Sequence, residues 1–139
     1  MDYQALLHRH DHEIYGEFPP GVDWRNVLQR MQRCVEELAA VLGVDLEPDW
    51  SAQDANFWCE MWLPLESGEM ALIRFSSFGD MVAVIEDDTV PNRVLDQAQQ
   101  VFAQHGFVYV PYAVLDAPYT GCAPAGTIAT WWDRFFDYY

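Results

Sequence analysis

The chain contains no lysine, and its seven cationic side chains are all arginine. Asp and Glu together number 22, so the formal net charge at pH 7 is −15. This field repels nucleic-acid phosphates and anionic lipid head groups, so neither nucleic acid nor a membrane surface is an expected partner. A basic protein would instead be attracted, and its encounter would be accelerated. An equally open interpretation is that the acidic residues serve only to keep the protein in solution.

The sequence is also poor in cysteine, with three widely spaced residues, Cys34, Cys59 and Cys122. It has no CxxC pair and no zinc-ligand pattern, so we expect free thiols in a reducing compartment. The N-terminal residues lack the apolar stretch of a signal peptide, and no apolar run reaches membrane-spanning length. These features predict a cytoplasmic protein that needs no cofactor.

Complete catalytic motifs are missing as well. The sequence has no GxSxG, no phosphate-binding loop and no GxGxxG, and the serines lie in turn-like contexts. Carboxylate pairs are expected by chance in a chain with 22 acids. We therefore predict no catalytic residue and a protein that is not an enzyme.

A histidine-rich segment, His8 to His12, is the one candidate metal site. If a short helix covers roughly Asp2–His12, then His8 and His12 lie four residues apart on one face, where zinc or nickel could bind. A third protein ligand is missing from the pattern, so we predict no metal site and a solvated helix. A small metal-binding protein or enzyme that uses His8 and His12 is kept as an alternative function.

The hydrophobic content of 51% is high enough to fold residues 1–139 as one domain without disulfides. An apolar stripe with helical spacing predicts a helix over Asp23–Leu42, begun by Asp23 and ended by Gly43. A second stripe predicts a helix from about Pro91 to His105. The aromatic C-terminus, from Thr127, predicts a short helix docked on the core, with one of Trp131 and Trp132 inward and the other at an edge or interface.

Three strand-like runs lie between the two long helices. They cover Asn56–Leu63, Glu69–Ser76 and Met81–Glu86, and their short polar connections predict an antiparallel meander. A short strand follows at Phe107–Val110, with an extension to Leu115 left open. The order of elements predicts an α+β fold, with a mostly antiparallel sheet of about four strands packed with two to four helices.

The first strand alternates in a way that bears on function. If Phe57 and Cys59 face the core, then Trp58, Glu60 and Trp62 lie together on the opposite face. An exposed row of this kind is typical of a protein-binding surface, because aromatic anchors dominate interface energetics. The alternative is that helices cover both sheet faces and bury the two tryptophans.

The pair Asp87-Asp88 has two interpretations. The first is a turn that caps the following helix, and the second is an acidic lip that meets Lys or Arg of a partner. Both interpretations stay open at the level of sequence.

The C-terminal third resembles a known group of proteins. Val110-Pro111-Tyr112, the run Leu115–Gly121 and the run Thr130–Tyr138 together resemble small bacterial immunity proteins, which accompany polymorphic or contact-dependent toxins. The resemblance implies tight binding and neutralisation of a cognate toxin domain, often a basic nuclease.

A strong negative charge suits such an inhibitor, because it accelerates association with a basic toxin. We expect the contacts to come from acids that flank aromatic anchors. A generic acidic interaction domain and a homodimer formed through exposed aromatics are the other open functions. The predicted acids are Glu60, Glu86, Asp87, Asp88 and Asp116, and the predicted anchors are Trp58, Trp62 and Tyr119.

Overall fold

A computed structural model describes residues 1–12, 18–50, 55–124, 126 and 128–137. These residues form five α-helices and one four-stranded sheet, which confirms the predicted α+β class. None of the helices in these ranges is long and apolar enough to cross a bilayer. The helices are α1 (Tyr3–His10), α2 (Trp24–Leu42), α3 (Asn92–Gln104), α4 (Tyr112–Leu115) and α5 (Trp131–Phe135). The strands are β1 (Phe57–Pro64), β2 (Met70–Ser76), β3 (Met81–Val84) and β4 (Val108–Tyr109).

The sheet has the order β1-β2-β3-β4. The first three strands form the predicted antiparallel meander, and β4 returns through α3 to pair in parallel with β3. The possible extension of the fourth strand to Leu115 does not occur, because the chain forms α4 there. Pro111 has no N–H to give to a strand ladder, and its fixed φ of −58° suits the start of a helix. With this short helix, the described residues contain five α-helices, one more than the upper limit of the predicted two to four.

Helix α2 shows why the first helical layer forms where it does. The Asp23 carboxylate accepts a hydrogen bond from Asn26 N at 3.2 Å, and Gly43 ends the helix in the left-handed region at φ +66°. Both predicted ends are therefore confirmed. Met31, Cys34 and Leu38 are fully buried, and they share one core cluster with residues from β1, β2, β3 and α3. Helices α2 and α3 thus cover one face of the sheet.

The other face of the sheet is covered by α1, α4 and α5. Leu7, Met81 and Phe135 belong to this second core cluster and are fully buried. Because both faces are covered, every residue of β3 is buried and the strand shows no alternation of exposure. Trp131 and Trp132 are both buried, so the prediction of one tryptophan at an edge or interface is wrong.

The two tryptophans are both buried because α5 lies between packed elements on either side. Trp131 contacts the rings of His8 and Tyr119, with centroids 5.0 and 4.7 Å away. Trp132 contacts the ring of Tyr112 in α4 at 5.5 Å. The side chains of adjacent helix residues point in different directions, and here each of the two tryptophans packs against a neighbouring part of the fold.

A buried ion pair joins the end of α1 to α5. Asp11 Oδ1 accepts a hydrogen bond from Arg134 Nε at 2.7 Å, and the two side chains are 2% and 0% exposed. Asp11 Oδ2 accepts from Tyr119 Oη at 2.6 Å and from Cys122 N at 2.9 Å. One carboxylate therefore connects α1, α5 and the loop between α4 and α5.

We expect the free energy of unfolding to fall in acid partly through Asp11. Burial acts to raise the pKa of this carboxyl, but hydrogen bonds from Tyr119, Cys122 and Arg134, together with the guanidinium charge, hold the pKa below its usual value of 3.8. Because the pKa of this carboxyl is lower in the folded state than in the unfolded state, the carboxylate contributes its full stabilisation above the unfolded-state pKa. That contribution is lost as the pH falls through the folded-state pKa.

Urea denaturation of the wild type and Asp11→Asn between about pH 7 and pH 3 checks this expectation. The unfolding free energy of the variant should depend less on pH below about pH 5, because its residue 11 cannot titrate. If the unfolding free energies of the two proteins had the same dependence on pH in that range, the role given to Asp11 would be contradicted.

Candidate protein-binding site

The histidine pair is not assembled as the sequence predicted. Helix α1 ends at His10, and Asp11 is extended at φ −86° and ψ 148°, so His12 lies beyond the helix. His8 contacts the ring of Trp131, and the ring of His12 lies 5.7 Å from that of Phe78. No group of three potential metal ligands occurs within the described parts of the chain. The geometry therefore removes the i, i+4 pairing on which the metal alternative depended.

The thiols of Cys34 and Cys59 are free, as expected, and both are buried. Burial raises the pKa of each thiol to about 12, with smaller contributions from neighbouring carboxylates. Thiolate is the reactive form of cysteine, so neither residue is suited to act as a nucleophile near neutral pH.

The row Trp58–Glu60–Trp62 is broken by a bulge in β1. The β1–β2 register shifts between Phe57 and Cys59. Phe57 lies under the Arg74 guanidinium, 4.3 Å from ring centroid to Cζ, whereas Trp58 packs against the core on the α2 side. The predicted alternation from Phe57 to Cys59 is therefore wrong, because an added residue in one strand turns the next side chain to the other face.

The two tryptophans of β1 consequently have different surroundings. Trp58 is half-buried, and its ring lies 5.8 Å from the rings of both Trp24 and Trp50. Trp62 is 53% exposed and lies beyond the bulge, on the same side as Glu60. Only Trp62 of this pair presents most of an aromatic ring to solvent.

Alanine substitution should separate these two roles. We expect Trp62→Ala to lower the unfolding free energy by about 1 kcal/mol, because more than half of the residue is already solvent-exposed in the fold. Trp58→Ala should cost about 2–3 kcal/mol, somewhat less than a fully buried tryptophan, because two ring contacts and a half-buried side chain are lost. Urea denaturation of both variants checks the difference, and a reversed order of stability would overturn this assignment.

Glu60 is engaged within the fold. Its Oε2 accepts from Arg74 Nε at 2.8 Å, and the two side chains are 18% and 9% exposed. Arg74 also donates to the Phe136 carbonyl at 3.0 Å and lies 3.6 Å from Asp137 Oδ1. Glu60 therefore neutralises a buried arginine that anchors the end of α5 to the sheet.

Asp87 is likewise engaged, but in a way that the sequence did not indicate. Its carboxylate accepts from the Tyr109 hydroxyl and, at 3.0 Å, from Tyr112 N. Burial and this carboxylate raise the pKa of Tyr109. The helix that follows Asp87, α3, has no side-chain cap, so the predicted capping of that helix is wrong. Asp87 instead satisfies an N–H in the first turn of α4, 25 residues along the chain.

Tyr119 also has an internal role. Its hydroxyl donates to Asp11, accepts from Ala123 N at 2.9 Å, and its ring contacts Trp131. Burial and Asp11 raise the pKa of Tyr119 to about 12. The phenol therefore holds the loop before α5 in place, while its ring is only partly exposed.

The remaining predicted acids are exposed, and two of them lie around one tyrosine. Burial raises the pKa of Tyr112, and the negative charges of Asp116 and Glu86, followed by Asp133 and Asp137, raise it further. Asp88 is exposed in the turn that follows Glu86. A half-buried phenol on the α4 surface therefore lies in the negative field of four carboxylates.

The exposed tryptophan of β1 lies on the same side of the sheet as Tyr112. Tyr112 packs on Trp132, whose ring lies 5.8 Å from the Arg74 guanidinium, and Arg74 pairs with Glu60, two residues before Trp62. The structure therefore places acids and two accessible aromatic side chains on the sheet face that α1, α4 and α5 cover. We call this surface the acidic face, and it consists of Trp62, Glu86, Tyr112, Asp116, Asp133 and Asp137.

Tyr112 was not among the predicted contact residues. Its position follows from Pro111, which ends the strand and starts α4, and from Trp132 beneath it. The proline was a local signal for a turn or helix start, but the packing of Tyr112 on a tryptophan 20 residues later has no sequence signature.

Comparison of the chain with protein-family models, curated proteins and solved structures found no match. The resemblance to immunity proteins therefore stays a prediction.

Proposed function

We propose that the chain is an inhibitor that binds a basic bacterial toxin domain through the acidic face, as the resemblance to immunity proteins implies. The observation that carries this proposal is the half-buried Tyr112, which packs on Trp132 and lies in the negative field of Asp116, Glu86, Asp133 and Asp137, on the side of the sheet that also presents Trp62. Protein interfaces combine such aromatic anchors with complementary charge.

The charge of this surface favours a cationic partner. Glu86 and Asp116 are exposed, and the nearby Arg74 is buried beneath the surface, where Glu60 pairs with it. Because solvent screens exposed charges only partly at short range, these carboxylates would steer a basic surface towards the aromatic residues. In a nuclease partner they would occupy the positions where phosphate otherwise binds.

The aromatic residues favour specific binding over a purely electrostatic encounter. Tyr112 is supported from below by the buried Trp132, with ring centroids 5.5 Å apart, so it loses little side-chain freedom on binding. Trp62 can lose much more solvent-exposed area, since 53% of it is accessible. These two side chains are the proposed anchors, and they replace Trp58 and Tyr119, whose rings pack within the fold.

The proposal is tested by co-expression with the product of the adjacent upstream reading frame. We expect that product to be a basic domain that is toxic alone, and we expect this chain to co-purify with it and restore growth. A neighbour without toxicity, or toxicity that this chain does not relieve, would overturn the proposal.

Light scattering on the isolated chain separates the proposed inhibitor from a homodimer. An inhibitor that keeps the acidic face for its partner is expected to be monomeric, because two like-charged faces repel each other. A dimer that Trp62→Ala converts to a monomer would favour the homodimer alternative.

A further inference from the structure

A second candidate site lies among α2, α3 and the β1–β2 turn, whereas the acidic face belongs to the side that α1, α4 and α5 cover. It is a cavity of about 530 Å³ between the end of α2 and the start of α3. This volume falls within the usual range of small-ligand pockets. We call it the hairpin cavity, and the lining residues that matter most for its chemistry are Val41, Leu65, Glu66, Glu69, Arg93 and Val94.

The walls of the hairpin cavity are aliphatic. Four half-buried side chains line it and also pack against the core cluster beneath α2 and α3, namely Leu42, Val44, Leu65 and Val94. Val41 adds a side chain that is 44% exposed. No aromatic residue occurs among the described residues of the lining. Contact with the core holds these walls in place, and their accessible surface can still bury the apolar part of a ligand.

The β1–β2 turn fixes the acidic rim of the cavity. Leu65 N donates to the Glu69 carbonyl at 2.9 Å, and Gly68 N donates to the Leu65 carbonyl at 3.0 Å. Gly68 adopts φ +89°, a conformation that favours glycine. Glu66 and Glu69 therefore extend from a closed turn, and both are exposed.

The rim of the cavity carries more negative than positive charge. It has two carboxylates, Glu66 and Glu69, and one guanidinium, that of Arg93. Arg93 Nη2 lies 3.4 Å from Glu66 Oε1. Glu69 forms no ion pair with any residue that the structure describes. One carboxylate thus matches the guanidinium, and the charge of Glu69 remains.

The end of α2 adds to this negative charge. The helix is 19 residues long, and its last turn contains no basic residue. The helix dipole leaves partial negative charge on the last carbonyl groups, and Leu42 and Gly43 place this end of the helix at the cavity. A cation at the rim would therefore interact favourably with both Glu69 and the end of α2.

We propose that the hairpin cavity binds an aliphatic chain that ends in a cation, such as the side chain of lysine. The methylene groups lie against the aliphatic walls, and the ammonium group stays at the solvated rim near Glu69. Lysine suits such a surface because its stem can be buried while its charged head stays in water.

The ligand must come from a different molecule. The chain contains no lysine, so a second copy cannot supply this side chain. The source is either a lysine of another protein or a free alkylamine. This inference goes beyond the proposed inhibitor function and does not rest on it.

Nuclear magnetic resonance titration of the isolated chain at low ionic strength tests the proposal with hexylammonium as the probe. We expect saturable shifts of the methyl signals of Leu65 and Val94. Binding should strengthen by about two- to fourfold for each methylene added between propylammonium and hexylammonium, because each one buries more apolar surface. Hexanoate should bind at least about threefold more weakly than hexylammonium, because the rim repels its carboxylate.

Glu69→Gln is the informative variant. It should weaken hexylammonium binding by about two- to fivefold and leave the binding of hexan-1-ol unchanged. Glu36→Gln is the matched control, because it makes the same change in net charge at an exposed position of α2 outside the cavity. No saturable shift, no dependence on chain length, hexanoate that binds as tightly as hexylammonium, or equal effects of the two variants would overturn the proposal.

Nα-acetyl-lysine N-methylamide separates the two sources of the cation. Its side chain has a four-carbon stem, so butylammonium is the matched comparison. Binding at least as tight as that of butylammonium supports a lysine of another protein, and weaker binding supports a free alkylamine. Because no toxin is present in these titrations, their outcome is independent of the co-expression experiment.

Discussion

Asp11→Ala is expected to lower the free energy of unfolding by about 3–5 kcal/mol, a large share of the total for a domain of this size. The substitution removes the carboxylate from the fully buried Arg134 guanidinium. It also removes the acceptor used by the Tyr119 hydroxyl and by Cys122 N. A buried charge that loses its counter-ion keeps its desolvation penalty, which is why removal of one partner costs so much. Urea denaturation monitored by tryptophan fluorescence measures the change.

Two controls separate the buried pair from a general effect of charge removal. Asp11→Ala combined with Arg134→Met should be less destabilised than Asp11→Ala alone, because no unpaired guanidinium remains. The exposed pair Arg93–Glu66, whose side chains are 70% and 93% exposed, provides the matched surface control. Glu66→Ala should change stability by less than about 1 kcal/mol. Similar losses for Asp11→Ala and Glu66→Ala would refute the role given to burial.

The long helices were predictable because their signals are local. The apolar stripe of α2, the Asp23 cap and Gly43 all lie within one stretch of about twenty residues and act through short-range contacts. Strands β1 to β3 were also located to within two residues at every end. The largest difference is at the end of β3, which stops at Val84 because Glu86 adopts φ +52° and starts a turn.

The pairings that close the fold were not predictable from the sequence. Asp11 and Arg134 are 123 residues apart, and Asn56 Nδ2 donates to the carbonyls of Asp133 and Asp137. Such contacts depend on how α1 and α5 pack on the sheet, and a single sequence carries no pattern for them. The bulge after Phe57 has no sequence signature either, because the residues of β1 follow a regular two-residue repeat in the sequence.

The sequence predicted the general character of the candidate site, which is exposed acids beside aromatic side chains, but it did not predict which residues form the site. Trp62, Glu86 and Asp116 are exposed, as a contact residue must be. Glu60 and Asp87 instead bond within the fold, because acids beside strands and turns also satisfy buried arginines and orphan N–H groups. Sequence composition does not distinguish a carboxylate that faces solvent from one that closes the fold.

Glu86→Lys combined with Asp116→Lys is expected to slow association with a basic partner by about 10- to 100-fold at low ionic strength. Both side chains are exposed, and their charges act on Tyr112, the proposed anchor. Reversal turns local attraction into repulsion at the centre of the acidic face. Stopped-flow mixing with the product of the neighbouring reading frame measures the association rate constant at several salt concentrations.

The matched control is Glu36→Lys with Asp96→Lys, which makes the same change in net charge on exposed positions of α2 and α3. Those helices cover the opposite side of the sheet, so this variant lowers the overall attraction without altering the acidic face. If binding uses the acidic face, the control should slow association only slightly, and the difference between the variants should shrink as salt screens the charges. Equal slowing by both variants would mean that net charge, rather than the surface around Tyr112, guides the encounter. The location of the interface would then have to be sought elsewhere on the chain.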